Sequence, residues 1–362
     1  MKVENNINLV IDCRMVNNSG IGTYIEELLI FFLKDKKKSL KLITNSLSDD
    51  KIRKIVSDSG RKVDIIFFKS MPFSLKEQYE YFTKLPKNVK VFIPHINIPF
   101  FVKKESLFIT VHDTFHLANP EYYSKFAIFY FKFLFRMIKR NAYKIFTVSK
   151  FSKSEILKFV KVNPEKVEII YNGYKQINKF DTTFIDPLIK QKIDDYEKVI
   201  LFVGNVKPHK NLKFLVSVFN KLQRQDVLLL IVGKKDAFFI NEEINTSENN
   251  NIFFTGFVNE DTLKYVYEKS SFLVLPSRYE GFGLPILEAM YFNKLIIASN
   301  IAVFKEIFEN RINYFELDNE NSLLSEINKL LLQDNYYKNY ELFLEQFTWE
   351  ISGEKHEKFL MR

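Results

Sequence analysis

The sequence predicts an α/β protein made of two doubly wound domains, each a parallel sheet with helices on both faces. Three observations carry this expectation. Short apolar runs recur along the whole chain and alternate with longer segments of helical spacing. The runs are continuously apolar instead of alternating, as strands covered on both faces require. At 362 residues the chain is also long enough for two domains of ordinary size.

In chain order, strands are expected at 8–12, 40–44, 63–68, 89–94, 107–111, 144–148 and 167–171, and then at 199–203, 227–232, 252–255, 272–275, 295–298 and 314–317. Two such series imply two doubly wound sheets. The polar stretch 175–197 reads as their connection, with Phe184 and Leu188 packing locally. The Asn-rich run 241–251 reads as a surface loop. The expected domains are therefore 1–180 and 181–345, followed by a terminal helical segment at 346–362.

Hydrophobic residues make up 46% of the chain and charged residues 27%, the balance of a globular protein. Glu4, Asn5 and Asn6 interrupt any leader-like apolar run, and no stretch of about twenty apolar residues occurs, so neither a signal peptide nor a membrane span is expected. The single cysteine, Cys13, closes the first apolar run and reads as a small core residue in a reducing, cytoplasmic setting. A net charge of +9 suits an anionic partner. No nucleic-acid motif accompanies it, which leaves a nucleotide, an anionic membrane or a polyprenyl-phosphate acceptor.

The chemistry concentrates in Ser277-Arg278-Tyr279-Glu280-Gly281-Phe282-Gly283-Leu284-Pro285-Ile286-Leu287-Glu288-Ala289. A strand, a glycine-bearing turn and a helix start lie there in that order. Gly281 and Gly283 let a ligand approach the backbone, and the helix beginning near Pro285 aims N–H groups and a positive dipole end at it. Glu280 and Glu288 then flank one site. Upstream, Gly204-Asn205-Val206-Lys207-Pro208-His209-Lys210-Asn211 joins a strand to a helix and supplies the turn and cation that phosphate binding needs. Between them lies Phe254-Thr255-Gly256-Phe257-Val258, where Phe257 and Val258 either frame a base or pack at the strand end.

The 277–289 segment closely resembles the E-x7-E motif of retaining glycosyltransferases of family 4, which have the GT-B architecture of two Rossmann-like domains facing across a cleft. A bare pair of glutamates would fit an ordinary strand–helix junction, but the interior Gly-Phe-Gly-Leu-Pro and the trailing Glu-Ala-Met match as well. The resemblance runs from Gly20 to Trp349 and includes Phe347-Thr348-Trp349-Glu350, similar to the family's closing helix, which crosses back onto the first domain. It implies that Glu288 holds the ribose hydroxyls and Glu280 the transferred sugar. Lys210 meets the diphosphate, and Gly204, Asn205 and the N–H groups of Phe282, Gly283 and Leu284 line the donor. Two departures stand out. Some members carry arginine where this chain has Asn205, leaving Lys207 or His209 as substitutes, and Phe308-Glu309-Asn310-Arg311 replaces a frequent Gly-Asp-Ala.

For the first domain the resemblance places Gly20, Ile21, Gly22, His112 and Ser149 on the acceptor side, and Asn172-Gly173 at the domain edge. Asn18–Tyr24 reads as a loop ahead of a helix at 25–33, with a Gly-x-Gly that lacks the third glycine of a dinucleotide fingerprint. His112 and His116 have helical spacing for zinc, but Asp113 and Asn119-Pro120 argue for a loop, and no third ligand or Asp-x-Asp accompanies them. No metal is expected. The aromatic, basic stretch 121–145 reads as a buried helix, with a surface for anionic membrane as the alternative.

The expected function is retaining, metal-independent transfer of a sugar from a nucleotide-diphosphate sugar to a saccharide or polyprenyl-diphosphate-linked acceptor, in surface polysaccharide synthesis. A GDP- or UDP-sugar is the expected co-substrate, with no other cofactor. The place is the cytoplasm, at the inner face of the membrane where contact occurs. Two rivals remain: a catalytically silent subunit of the same fold, and a phosphorylase or sugar-nucleotide epimerase.

Overall fold

A computed structural model describes residues 8–175, 181–234, 251–333 and 337–361. The chain divides into two compact units. The first holds residues up to Gly173 together with the C-terminal segment from Phe347, and the second spans Tyr174–Gln346.

The first unit is built on a parallel sheet of β1 (Asn8–Asp12), β2 (Ser39–Thr44), β3 (Asp64–Phe67), β4 (Lys90–Ile93), β5 (Leu107–Thr110), β6 (Lys144–Thr147) and β7 (Val167–Ile169). Its order is β3-β2-β1-β4-β5-β6-β7. The connections run outward from β1 to β3 and then return to β4 on the other side. This reversal makes a switch point between β1 and β4, outside whose carboxyl ends such sheets bind ligands. Val10, Ile43, Val91, Ile93, Ile109 and Ile145 are buried in one core with Leu134, Phe135 and Ile138 of the helix Lys125–Asn141.

The opening helix runs Ser19–Lys34, so Gly20, Ile21 and Gly22 form its first turn and not a loop before it. The Gly22 N–H already donates to the Asn18 carbonyl at 2.8 Å, a helical bond that a reading of glycines as punctuation misses. The terminal helix Trp349–Leu360, capped by Thr348 accepting from the Ile351 N–H, packs on this opening helix. A Cβ on Gly353 would lie 2.3 Å from the Phe31 ring, so the two helices approach at a point where only glycine fits. Beside it Tyr24 donates to His356 Nε2 at 2.6 Å, while His356 Nδ1 donates to the Ser352 carbonyl. Burial pushes His356 down to about 4, which keeps it neutral.

Two helices of this unit depart from ordinary patterning. Lys125–Asn141 buries Leu134, Phe135 and Ile138, whereas Phe126, Phe129 and Phe133 face solvent, which corrects the expectation of a buried helix. Its apolar residues cover more than one face, and the sheet has room for only one of them. The helix Leu75–Lys84 is inverted, burying Glu77, Glu80 and Tyr81 and exposing Leu75, Tyr79 and Phe82.

The second unit is a parallel sheet of β8 (Lys198–Val203), β9 (Val227–Val232), β10 (Ile252–Gly256), β11 (Phe272–Leu275), β12 (Leu295–Ser299) and β13 (Asn313–Phe315), in the order β10-β9-β8-β11-β12-β13. Its switch point lies between β8 and β11. Every residue of β9 and β11 is buried, in keeping with their uninterrupted apolar runs. The stretch expected to be a polar connection contains the helix Pro187–Asp194, which buries Ile189 and Ile193, with Ile185 buried just before it. Phe184 and Leu188, expected to pack there, are exposed instead. The expected boundary near residue 180 and the Asn-rich run up to 250 lie outside the described residues.

Candidate functional site

The polar groups of the second unit converge at its switch point. Beyond β8 the chain forms a 3-10 turn, Pro208–Lys210, passes through Asn211 at φ 57°, and opens the helix Leu212–Leu222. Beyond β11 it runs through Ser277–Gly283 into the helix Leu284–Tyr291. The two loops are tied directly. The Arg278 N–H donates to the His209 carbonyl at 2.7 Å, and Asp318 accepts from both the Arg278 guanidinium and Asn211 Nδ2.

That brace brings Lys210 and Glu280 together, with Nζ 2.6 Å from Oε1, while Ser277 Oγ donates to the same oxygen at 2.7 Å. Both side chains keep partial exposure, 18% and 12%, so the pair is reachable from solvent. Gly283 adopts φ +112°, and a Cβ there would lie 2.8 Å from Phe304. Only glycine allows this turn to seat the helix start. Phe282 is buried, whereas Gly281 and Leu284 are half-buried.

Glu288 lies further along the same helix, partly buried, and accepts from Tyr267 Oη at 2.6 Å. Burial raises its pKa, and the Tyr267 hydrogen bond and the Lys175 charge pull it back only in part. Tyr267 itself is buried and stacks on Phe292, so it is held rigidly. Gly204 bonds through its N–H to the Val232 carbonyl, and Val206 to the Lys234 carbonyl, which sets the Gly204–Asn205 turn beside the end of β9. Phe257 is 74% exposed under the Lys234 ammonium, 4.8 Å from its ring centre, so it does not pack into the core. Val258 is half-buried beside it.

The expected residues of the first unit are placed differently from one another. His112 follows β5, donates through Nε2 to the Pro94 carbonyl at 3.0 Å and meets Tyr24 edge-on at 4.7 Å. That bond assigns the tautomer and leaves Nδ1 as an acceptor. Burial lowers its pKa, which favours the neutral ring. Ser149 is fully buried, and its Oγ caps the helix Lys150–Val160 by accepting from the Ser152 N–H at 3.0 Å. The His116 ring meets the Phe131 ring at a tilt of 37°, with 3.9 Å between ring centres. Among the described residues no three His, Cys, Asp or Glu side chains are placed to share a metal ion.

The sequence reading missed a buried ionic cluster at the β1/β4 switch point. Asp12 takes Arg14 in a two-pronged pair, with Nε–Oδ1 at 3.0 Å and Nη2–Oδ2 at 2.7 Å, and accepts from Tyr81 Oη. Arg14 Nη1 lies 3.0 Å from Glu77, whose Oε2 also accepts from Asn97 Nδ2 at 2.7 Å. Burial works to raise Asp12, but the Arg14 charge and the neighbouring His95 outweigh it and hold Asp12 well below the usual range. The same burial pushes Glu77 up to about 7, because the guanidinium it shares is already committed to Asp12. Tyr267, Lys234 and Arg278 were missed as well. Tyr267 and Lys234 lie outside the motif segments, and Arg278 lies within 277–289 but meets its partner Asp318 from another loop.

Comparison with known proteins agrees with the two-sheet fold. The family description "Glycosyltransferase Family 4" matches residues 19–175, and "Glycosyl transferases group 1" matches 187–342. The O-antigen chain mannosyltransferase RfbU of Salmonella typhimurium is 35% identical over 228 residues, 61% of this chain and 60% of the relative. An uncharacterized glycosyltransferase of Methanocaldococcus jannaschii is 33% identical over 47% of this chain and 45% of its own length. The chain thus spans about half to three-fifths of these two relatives. O-antigen chain mannosyltransferase B of Escherichia coli is 25% identical over 80% of this chain and 81% of the relative. Among solved structures, Anabaena HepE in complex with UDP and glucose has a TM-score of 0.72 at 15% identity, covering 98% of this chain and 99% of that one. WaaG, a glycosyltransferase involved in lipopolysaccharide biosynthesis, has a TM-score of 0.64 at 14% identity, covering 97% and 95%. With two Rossmann-like parallel sheets, a family match over each half, and a motif-bearing switch point in the second unit, the chain belongs to the GT-B glycosyltransferases of family 4.

Proposed function

We propose that this protein transfers a sugar from a nucleotide-diphosphate sugar to a saccharide or lipid-linked saccharide in surface polysaccharide assembly, with retention of anomeric configuration. The Lys210–Glu280 pair at the switch point of the second unit carries the reading, because it joins a phosphate-seeking cation to a hydroxyl-seeking carboxylate. The O-antigen mannosyltransferases among the relatives support the polysaccharide setting, and the nucleotide in the HepE structure supports a nucleotide-sugar donor.

In this reading Glu288 accepts from the ribose hydroxyls, with Tyr267 holding one of its oxygens in place. The donor diphosphate draws the Lys210 ammonium away from Glu280, whose carboxylate is then available to hydroxyls of the sugar. As the bond from the anomeric carbon to the diphosphate breaks, negative charge grows on the departing phosphate, and Lys210 offsets it. The acceptor oxygen bonds to the same face of that carbon, and its proton passes to the leaving phosphate. No side chain acts as nucleophile, so Glu280 positions the sugar. Lys234, exposed beside the Gly204 turn, takes the place of the cation that Asn205 does not supply. Phe257 offers a face to the base. In the first unit, Gly20, Ile21, Gly22 and His112 serve the acceptor side, with Ser149 contributing through the helix it caps. Transfer needs no divalent ion and no cofactor beyond the GDP- or UDP-sugar.

The test is thermal stabilisation by a panel of UDP-, GDP-, ADP-, CMP- and dTDP-sugars, since a ligand of the folded state raises its melting temperature. A shift for one base, retained in EDTA and lost in Glu288→Ala, is expected. No shift with any nucleotide contradicts the reading and favours the silent subunit, while a shift abolished by EDTA contradicts metal independence.

A further inference from the structure

Beyond β13 the chain turns through Glu316–Asn319 into the helix Glu320–Leu331, and this turn reaches both loops that carry the Lys210–Glu280 pair. Asp318 Oδ1 accepts from Asn211 Nδ2 at 3.0 Å and from Arg278 Nε and Nη2 at 3.0 and 2.9 Å, and Oδ2 lies 3.2 Å from the same Nε. Asn211 follows Lys210 directly, and Arg278 stands two residues before Glu280. One carboxylate thus meets the neighbours of both site residues.

The anchor is itself fixed. Asn319 caps the helix Glu320–Leu331 by accepting from the Ser322 N–H at 3.0 Å, and its Nδ2 donates to Glu316 Oε2 at 2.9 Å. Ser322 Oγ accepts from the Glu316 N–H at 2.9 Å. Glu320 accepts from Ser217 Oγ at 2.8 Å and pairs with Lys221, which fastens this helix to Leu212–Leu222, the helix that Asn211 opens.

Stability alone does not account for the arrangement. The Arg278 and Asp318 side chains are 42% and 48% exposed, and such an ion pair returns little folding free energy. Asp318 sits at φ +59°, in the left-handed region that glycine enters most freely. Asn211, at φ 57°, heads its helix without a side-chain cap bond. Where an asparagine ordinarily accepts from the first helical N–H groups, this amide donates outward to Asp318 instead. Both departures serve one contact, which fixes the backbone just after Lys210 and just before Glu280. A lysine held in advance loses less conformational freedom when an anion binds.

We propose that Asp318 is a positioning residue for the diphosphate: through Asn211 and Arg278 it holds Lys210 and Glu280 in their binding register without touching the ligand. The inference rests on the donor reading, in which Lys210 meets the diphosphate.

The test is calorimetric titration of the full chain with inorganic pyrophosphate, which carries neither base nor sugar and so reports on the Lys210 side of the site. It compares the natural chain with Asp318→Gly, Asp318→Asn, Lys210→Ala and the double variant Asp318→Gly/Lys210→Ala. Glycine accepts the backbone of the turn and removes only the carboxylate, so the melting temperature of Asp318→Gly should stay close to that of the natural chain. Its pyrophosphate affinity should fall by about three- to tenfold, as for coupled residues of one network. Charge alone acts the other way, because removing a carboxylate near an anion favours binding. Asparagine tolerates the same backbone and keeps an acceptor oxygen for Asn211 and Arg278, so Asp318→Asn should stay within about twofold of the natural chain. The double variant should bind no more weakly than Lys210→Ala. Unchanged or tighter binding by Asp318→Gly overturns the proposal and leaves the donor reading intact, and so does an added loss in the double variant. A natural chain that binds no pyrophosphate contradicts the donor reading itself, and the proposal falls with it.

Discussion

Glu77 sits in a cluster where one guanidinium serves two carboxylates, and Asp12 holds the better geometry. Its folded pKa of about 7 lies above its ordinary 4.5, so between those values the folded state binds more protons than the unfolded chain. Stability from this group is therefore present at low pH and lost as pH rises through about 7, on the order of 2–3 kcal/mol. Glu77→Gln keeps the Asn97 contact without the charge. The expected result is that unfolding titrations from about pH 5 to about pH 7.5 show this loss in the natural chain and not in the variant. The same slope in both would remove Glu77 as its source. At this scale legibility was uneven. Glu280, Glu288 and Lys210 stand in contiguous segments whose glycines and proline mark a strand–turn–helix, so their spacing can be read directly. Asp12 and Arg14 are just as close in sequence, but their meaning depends on Glu77, Tyr81, His95 and Asn97, which only folding brings near. Ser149 was found by resemblance to a segment, and its buried, capping side chain was beyond that signal.

The elements show why apolar spacing is a good guide to strands and a weaker one to helix faces. Each expected apolar run became a strand, with ends shifted by one or two residues where the chain turns toward the sheet edge. A run buried on both sides has no face to choose. A helix does: in Leu75–Lys84, Leu75, Tyr79 and Phe82 have the spacing of an inward stripe, yet the inward side carries the acids that Arg14 and the Ser70 loop require. The pairing of the opening and closing helices gives a sharper test. Gly353 faces the Phe31 ring, which is itself packed on Phe32 at 5.4 Å and cannot swing away freely. A larger residue would gain up to about 1 kcal/mol of helix propensity over glycine, but overpacking costs about 1–3 kcal/mol. For Gly353→Val, whose branched side chain forgoes most of that gain, the overlap wins. Chemical denaturation should show a loss of about 2 kcal/mol in the first unit. An unchanged midpoint would mean that the two helices do not meet as closely as described.

At the scale of the whole molecule, both units repeat one plan: strands run outward, reverse, and leave a switch point whose carboxyl edge gathers the polar groups. In the first unit that edge holds Asp12, Arg14 and His95, and in the second Gly204, Lys210 and Glu280. The plan was legible because continuous apolar runs specify parallel sheets, and two series of them specify two units. The stretch 175–197 was harder, since its buried residues Ile185, Ile189 and Ile193 are embedded among charges and read as polar on average. The central claim is that the donor lies along the switch point of the second unit, with Glu288 on the ribose and Lys210 on the diphosphate. Calorimetric titration of a nucleoside and of its diphosphate, using the base the donor panel selects, tests it most directly. Glu288→Ala should weaken both ligands by roughly ten- to a hundred-fold, and Lys210→Ala should weaken the diphosphate alone by about ten-fold, as the loss of charge-assisted bonds predicts. Equal losses for both ligands in both variants, or no loss in either, would contradict the assignment.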